Sequence, residues 1–252
     1  MVIIKRPGEL DLMAEAGDLL HQVHDLVAQE VRAGVSTARL NEVAESAILK
    51  FGARPAFLGY NGYPATINAS INEVVVHGIP GPRVLKDGDI ISIDCGLIHR
   101  GFVADSARTY AVGEVIEEAK RLMSATEASL QAGIEAMVPG NRLGDVSNAV
   151  QQVVENAGFW VVREFVGHGV GRAMHEDPQV PNWGRPGKGL VLKPGMVLAI
   201  EPMVTAHRTA VDTLDDGWTA VTRDHSLAAH FEHTVAVTDH GPRILTALTG
   251  AK

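Results

Sequence analysis

Five residues in this sequence have the types and settings of metal ligands: Asp94, Asp105, His168, Glu201 and Glu232. Each carboxylate interrupts an apolar run: I-I-S-I-D-C, F-V-A-D-S-A, V-L-A-I-E-P and A-H-F-E-H-T-V. His168 sits among three glycines in G-H-G-V-G, where the backbone can approach closely. On their own, Asp94 and Asp105 read equally well as solvated acids of an edge hairpin. Taken together, four carboxylates in apolar settings must share protons or hold cations. Two divalent ions would neutralise them. Oxygen-rich ligation with one nitrogen suits Mn, Fe or Co better than a structural zinc. Such a pair, about 3.5–4 Å apart, activates water and polarises a carbonyl, which is the chemistry of hydrolysis. His77 and His175 then remain as unligated acid–base or hydrogen-bonding groups. No H-E-x-x-H or G-x-S-x-G is present, and Cys95 has no activating partner. It reads as a small buried filler.

The elements that must position these groups follow from periodicity and turn chemistry. Residues 90–110 alternate as an antiparallel hairpin around a loop at 96–101, which would set Asp94 and Asp105 directly opposite each other on one face. Helical spacing predicts helices from Pro7 to about Gly34, from Ser36 or Thr37 to Gly52, over 115–137 and over 143–156. His21 and His24 lie one turn apart on the first and read as helix surface. F-L-G-Y-N-G-Y-P, residues 57–64, is a loop carrying Phe57, Tyr60 and Tyr63, which either plug a core edge or wall a pocket. Residues 70–80 read as a strand ending in His77, and 160–166 as another strand. Glu201 and Glu232 sit on further strands, with Trp218 in the loop between them.

An internal repeat organises the chain. L-K-D-G-D-I-I-S-I-D at 85–94 matches L-K-P-G-M-V-L-A-I-E at 192–201, and each is preceded by a long helix, a glycine and a shorter helix. Two such units suggest a single domain of two related halves, about 1–111 and 112–252, folded about a pseudo-two-fold axis. Each half then brings a matching acid to a shared centre. The expected architecture is α+β, an antiparallel sheet with helices on its outer face.

Bulk properties narrow the field. A net charge of −8 argues against sequence-specific nucleic-acid binding as the main business. The single cysteine excludes an internal disulfide framework and fits a reducing, cytoplasmic compartment. The N-terminal residues lack the apolar core of a signal peptide, and no apolar run is long enough to span a membrane.

N-E-V-V-V-H-G-I-P, I-D-C-G followed by D-S-A-R-T, G-H-G-V-G-R-A-M-H-E-D-P, I-E-P-M-V and F-E-H-T, in that order, resemble the bacterial type I methionine aminopeptidases. The resemblance spans the whole chain. It implies the pita-bread fold and removal of the N-terminal methionine from nascent polypeptides, with a small second residue preferred. It implies two divalent ions (Co, Mn, Fe, Ni or Zn). Asp94, Asp105, His168, Glu201 and Glu232 would be their ligands, with Asp105 and Glu232 bridging. Glu201 would also shuttle a proton, and His77 and His175 would contact the substrate. Phe57, Tyr60, Tyr63, Met174 and Trp218 would wall the methionine pocket. A cytoplasmic monomer working near the ribosomal exit is implied as well. One departure is His230, two residues before Glu232, where relatives often carry Gln. The rival readings are an Xaa-Pro aminopeptidase of the same fold and a non-catalytic peptide- or RNA-binding relative.

Overall fold

The computed structural model describes residues 2–248. Its four helices are α1 (Pro7–Glu30), α2 (Thr37–Lys50), α3 (Glu117–Glu135) and α4 (Leu143–Asn156). Their starts obey local chemistry. Ser36 Oγ accepts the Arg39 N–H at 3.3 Å, and Glu9 and Asp145 reach back to the N–H groups of Arg6 and Arg142 at 3.0 and 2.7 Å. Each helix pair buries an apolar stripe on the sheet. Leu20, Val23, Leu40 and Ile48 meet Ile91, Ile93 and Leu97. Leu122, Ile134, Val146 and Val150 meet Leu198, Ile200 and Val235.

The sheet under the helices has nine antiparallel strands. Its central run is Ile90–His99, Phe102–Ala111, Glu232–Thr238, Val197–Ile200 and Gly167–Gly169. Register places the candidate ligands. Asn68 lies opposite Asp94, Asp94 opposite Ala107, and Ala107 opposite Glu232. That row shares one face, because directly paired residues point the same way. Asp105, two residues from Ala107, joins it. The pairs Thr234–Ala199 and Ala199–His168 carry the same face on to His168, and to Glu201 two residues past Ala199. Ile91, Ile93 and Cys95 point oppositely, into the helices, and Cys95 is 1% exposed.

Two hydrogen bonds recur around the repeated Leu-Lys segments. Gly34 N–H donates to Leu85 O at 2.9 Å, and Gly140 N–H to Leu192 O at 3.1 Å. Leu85 N–H donates to Val35 O at 2.8 Å, and Leu192 N–H to Asn141 O at 2.7 Å. Gly34 and Gly140 both take a left-handed φ, 89° and 91°, which a side chain would resist.

Several sequence expectations are corrected. The hairpin strands run on to His99 and restart at Phe102, so the connection is Arg100–Gly101 rather than 96–101. Both turn residues have positive φ, 50° and 84°, the geometry that matches strand twist in a two-residue turn. Asp105 therefore pairs with Gly96, and the two aspartates are diagonal neighbours rather than directly opposed. The segment 70–80 is two strands, Ile67–Ile71 and Val74–Val76, turned at Asn72 with φ 53°. Of 160–166 only Trp160–Val161 is strand. His24 is not helix surface. It is fully buried, with Nε2 3.0 Å from the Ser106 carbonyl, because the Leu20–His24–Val27 spacing lies on the core stripe.

Candidate metal centre

Asp94, Asp105, His168, Glu201 and Glu232 converge on the floor of one cavity of about 210 Å³. Asp105, His168 and Glu232 each offer a ligand atom within 4.8 Å of the others. His168 Nε2 stands 3.7 Å from Asp105 Oδ2 and 3.5 Å from Glu201 Oε1. These gaps are too long for hydrogen bonds. Asp94 Oδ1, Asp105 Oδ1 and Glu232 Oε1 are buried with no hydrogen-bond partner among the described residues. Buried acceptors left without a partner cost about 1–3 kcal/mol each, more when charged. Oxygens so placed, with one imidazole nitrogen among them, fit divalent cations in a hydrolytic rather than a structural site.

Protonation states agree with that fit. Without a cation, burial raises Asp94 to about 7, opposed by the Asn68 amide that donates to its Oδ2 at 2.6 Å. Burial first, and the charge of neighbouring carboxylates second, push Asp105, Glu201 and Glu232 well above the carboxylate range. His168 is lowered to about 4, mainly by burial, so it is neutral at physiological pH. Its Nδ1 lies 2.9 Å from the Gly169 carbonyl, which can only accept, so the proton sits on Nδ1. Nε2 then faces the carboxylates as a bare lone pair, the tautomer a metal requires.

A pH dependence follows. The folded carboxylates hold protons that the unfolded chain has already released, so their contribution to stability is present at low pH. It is lost as pH rises, through about 7 for Asp94. A cation must displace those protons, so its stabilising effect grows over the same window. His168, neutral throughout, does not offset it. The thermal shift produced by a fixed concentration of Mn(II) is expected to be larger at pH 8 than at pH 6. Equal shifts in calorimetry would contradict this protonation scheme.

The remaining predicted site residues line the same cavity. Phe57, Tyr63 and Met174 are buried in one apolar cluster, with Tyr60 and Trp218 packed against it. Gly96 leaves room for this wall, since a Cβ there would come 2.8 Å from Phe57 Cε1. Tyr63 meets Trp218 edge to face at 5.1 Å and donates its hydroxyl to the Ile67 and Gly78 carbonyls. Asp216 steadies Trp218 by accepting the N–H groups of Trp218 and Thr219, both at 2.8 Å. His77 adopts φ 60°, a left-handed conformation uncommon for non-glycine residues. Its ring lies edge-on to Phe165 at 5.3 Å and to Trp218 at 6.2 Å. His175 stacks on Tyr60, whose hydroxyl is 2.7 Å from Nδ1, and its ring centre is 4.2 Å from that of His168.

Residues not singled out by sequence also line this space: Asn61, Asn68, Val76, Phe165, Val166 and Met203. His230 is there too, but not on the Glu232 strand. Strand pairing is interrupted at Phe231, and His230 ends the separate strand Ala228–His230. Only register could have singled out Asn68, because its role comes from lying opposite Asp94.

Comparison with known proteins gives a consistent result. Residues 11–239 match the model of metallopeptidase family M24. A methionine aminopeptidase of Clostridium perfringens is 53% identical, covering 98% of this chain and 100% of its own. The crystal structure of a methionine aminopeptidase from Rickettsia prowazekii superposes with a TM-score of 0.97 at 42% identity, covering 98% of this chain and 100% of that one. The prolidase of Pyrococcus horikoshii shares the fold with a TM-score of 0.78 at 22% identity. It matches 99% of this chain but 65% of its own length. The pita-bread architecture and the α+β class expected above are thereby borne out.

Proposed function

The chain belongs to metallopeptidase family M24, and on that premise we propose that it removes the N-terminal methionine from polypeptides by hydrolysing their first peptide bond. The observation that carries this reading is one cavity with two unlike surfaces. Its floor is two buried carboxylates, Asp105 and Glu232, two half-buried ones, Asp94 and Glu201, and a lone-pair imidazole, and its wall is Phe57, Tyr60, Tyr63, Met174 and Trp218. An unbranched thioether packs well against aromatic edges, and the floor lies where a first peptide bond would reach.

Asp94, Asp105, His168, Glu201 and Glu232 would hold two divalent ions drawn from Mn, Fe, Co, Ni or Zn. Such ions, when bound, supply a Lewis acid and a water of lowered pKa. The chain's own groups do the rest. The Tyr60 hydroxyl lies 2.7 Å from His175 Nδ1; with that hydroxyl as donor, the His175 proton sits on Nε2. From there it donates to the scissile carbonyl as charge develops. His77 contacts the amide side of the bond. Glu201 takes up a proton on its carboxylate and returns it to the departing amine. A small second residue is preferred because the chain leaves beside the crowded acid floor.

On the same reading, the substrates are new chains met near the ribosomal exit, in the cytoplasm, by a monomer. No described helix is long and apolar enough to cross a membrane. The domain is read as two related halves, about 1–111 and 112–252, and the paired hydrogen bonds around Leu85 and Leu192 support that division.

Protein stripped of metal and resupplied with Mn(II) or Co(II) is expected to release methionine from Met-Ala peptides. It should leave Xaa-Pro bonds essentially uncut. No release with any divalent ion would overturn the reading. Xaa-Pro cleavage at a comparable rate would move it to the prolidase-like activity.

A further inference from the structure

His230 is buried beside the carboxylates, and the ligand set above leaves it without a role. Its backbone is fixed on both sides by one residue. The His230 N–H donates to Thr109 Oγ1 at 3.0 Å, and that hydroxyl donates to the His230 carbonyl at 2.8 Å. Ser92 Oγ, 2.8 Å from Thr109 Oγ1, ties this pair to the central hairpin. The side chain is 2% exposed and lines the cavity, and Nε2 has no hydrogen-bond partner among the described residues. Glu201 Oε2 lies 4.0 Å from it, beyond hydrogen-bond range.

Glu201 is thus flanked by two imidazoles. Oε1 faces His168 Nε2 at 3.5 Å, and Oε2 faces His230 Nε2 at 4.0 Å. We infer that His230 Nε2 is a sixth protein ligand of the metal pair, binding the cation that Glu201 and His168 hold, from the other side of Glu201. The inference rests on the reading of this cavity as a divalent-metal site. One observation supports it over a filler role: Nε2 is a buried nitrogen turned toward a carboxylate that it does not bond, and a cation held jointly with Glu201 would give it a partner. A second nitrogen would shift this oxygen-rich site from Mn(II) toward Co(II), Ni(II) and Zn(II).

The test uses the full chain, stripped of metal and titrated with Co(II) and with Mn(II) separately. In the proton spectrum of the Co(II) protein, two strongly shifted, solvent-exchangeable imidazole N–H resonances are expected, one each from His168 and His230. In His230→Gln one of the two should vanish. Co(II) affinity at the site held by His168 and Glu201 should fall about tenfold or more, with a smaller loss for Mn(II). A single shifted N–H resonance in the wild-type protein overturns the assignment, whatever the variant does. Unchanged Co(II) affinity and an unchanged visible spectrum in a folded variant overturn it as well. If the wild-type chain takes up no divalent ion, the metallopeptidase reading itself fails, and this inference with it.

Discussion

Glu232→Gln is expected to lower methionine release by about a thousandfold or more while leaving the protein folded. The residue is 2% exposed, and its Oε1 has no hydrogen-bond partner among the described residues. Gln keeps the shape but replaces a charged ligand by a neutral one. A metal clamp supplies several kcal/mol of transition-state stabilisation, and each 1.36 kcal/mol is about tenfold in rate. The same substitution removes one charge from a crowd. Glu232 is raised by burial and by the charges of Asp105, Glu201 and Asp94, so ionising it at high pH costs the metal-free protein stability. The melting temperature of the metal-free variant at pH 8 is therefore expected to equal or exceed that of the metal-free wild type. Calorimetry with and without Mn(II), beside a peptide assay, measures both effects. Near-normal turnover would remove Glu232 from the ligand set. A large loss of stability without metal would mean that its carboxylate is structural.

His175→Ala is expected to lower kcat by about 10²–10⁴-fold, the range of a positioned acid or hydrogen-bond donor. Metal binding should remain nearly intact. His175 touches the ring of His168, but its polar contact is with Tyr60, not with any carboxylate of the floor. Removing it deprives the substrate carbonyl of a donor and leaves the ligands in place. Tyr60→Phe should give a smaller loss of the same kind, because it releases the tautomer of His175 without removing the ring. Isothermal titration with Mn(II) separates the two readings from peptide turnover. Unchanged kcat in His175→Ala would take this residue out of the reaction, and lost metal binding would make it part of the cation site.

The acids of the floor were legible because an ionisable residue in an apolar strand is a cost that needs a reason. Asp94, Asp105, Glu201 and Glu232 all carry that mark, and the repeat links Asp94 to Glu201. The helices were legible from spacing and from their starting residues, as at Pro7 and Ser36. What escaped depends on register and tight turns. Arg100–Gly101 closes the hairpin in two residues with left-handed φ at both. Gly96, which looks like a loop residue, is instead the strand position that makes room for Phe57. Asn68 reads as an ordinary polar residue of a strand until pairing sets it opposite Asp94. Phe165 falls in a stretch that reads as strand, but it lies in irregular chain, edge-on to His77. His24 carried a signal that was available, since its spacing from Leu20 and Val27 is that of the core stripe.

The most direct test is a crystal grown with Mn(II) and methionine, measured at a wavelength where manganese scatters anomalously. Two anomalous peaks are expected among Asp94, Asp105, His168, Glu201 and Glu232, with the methionine thioether between Phe57, Tyr63 and Trp218. An absence of anomalous density at those five residues, or a methionine side chain bound away from that wall, would contradict the account.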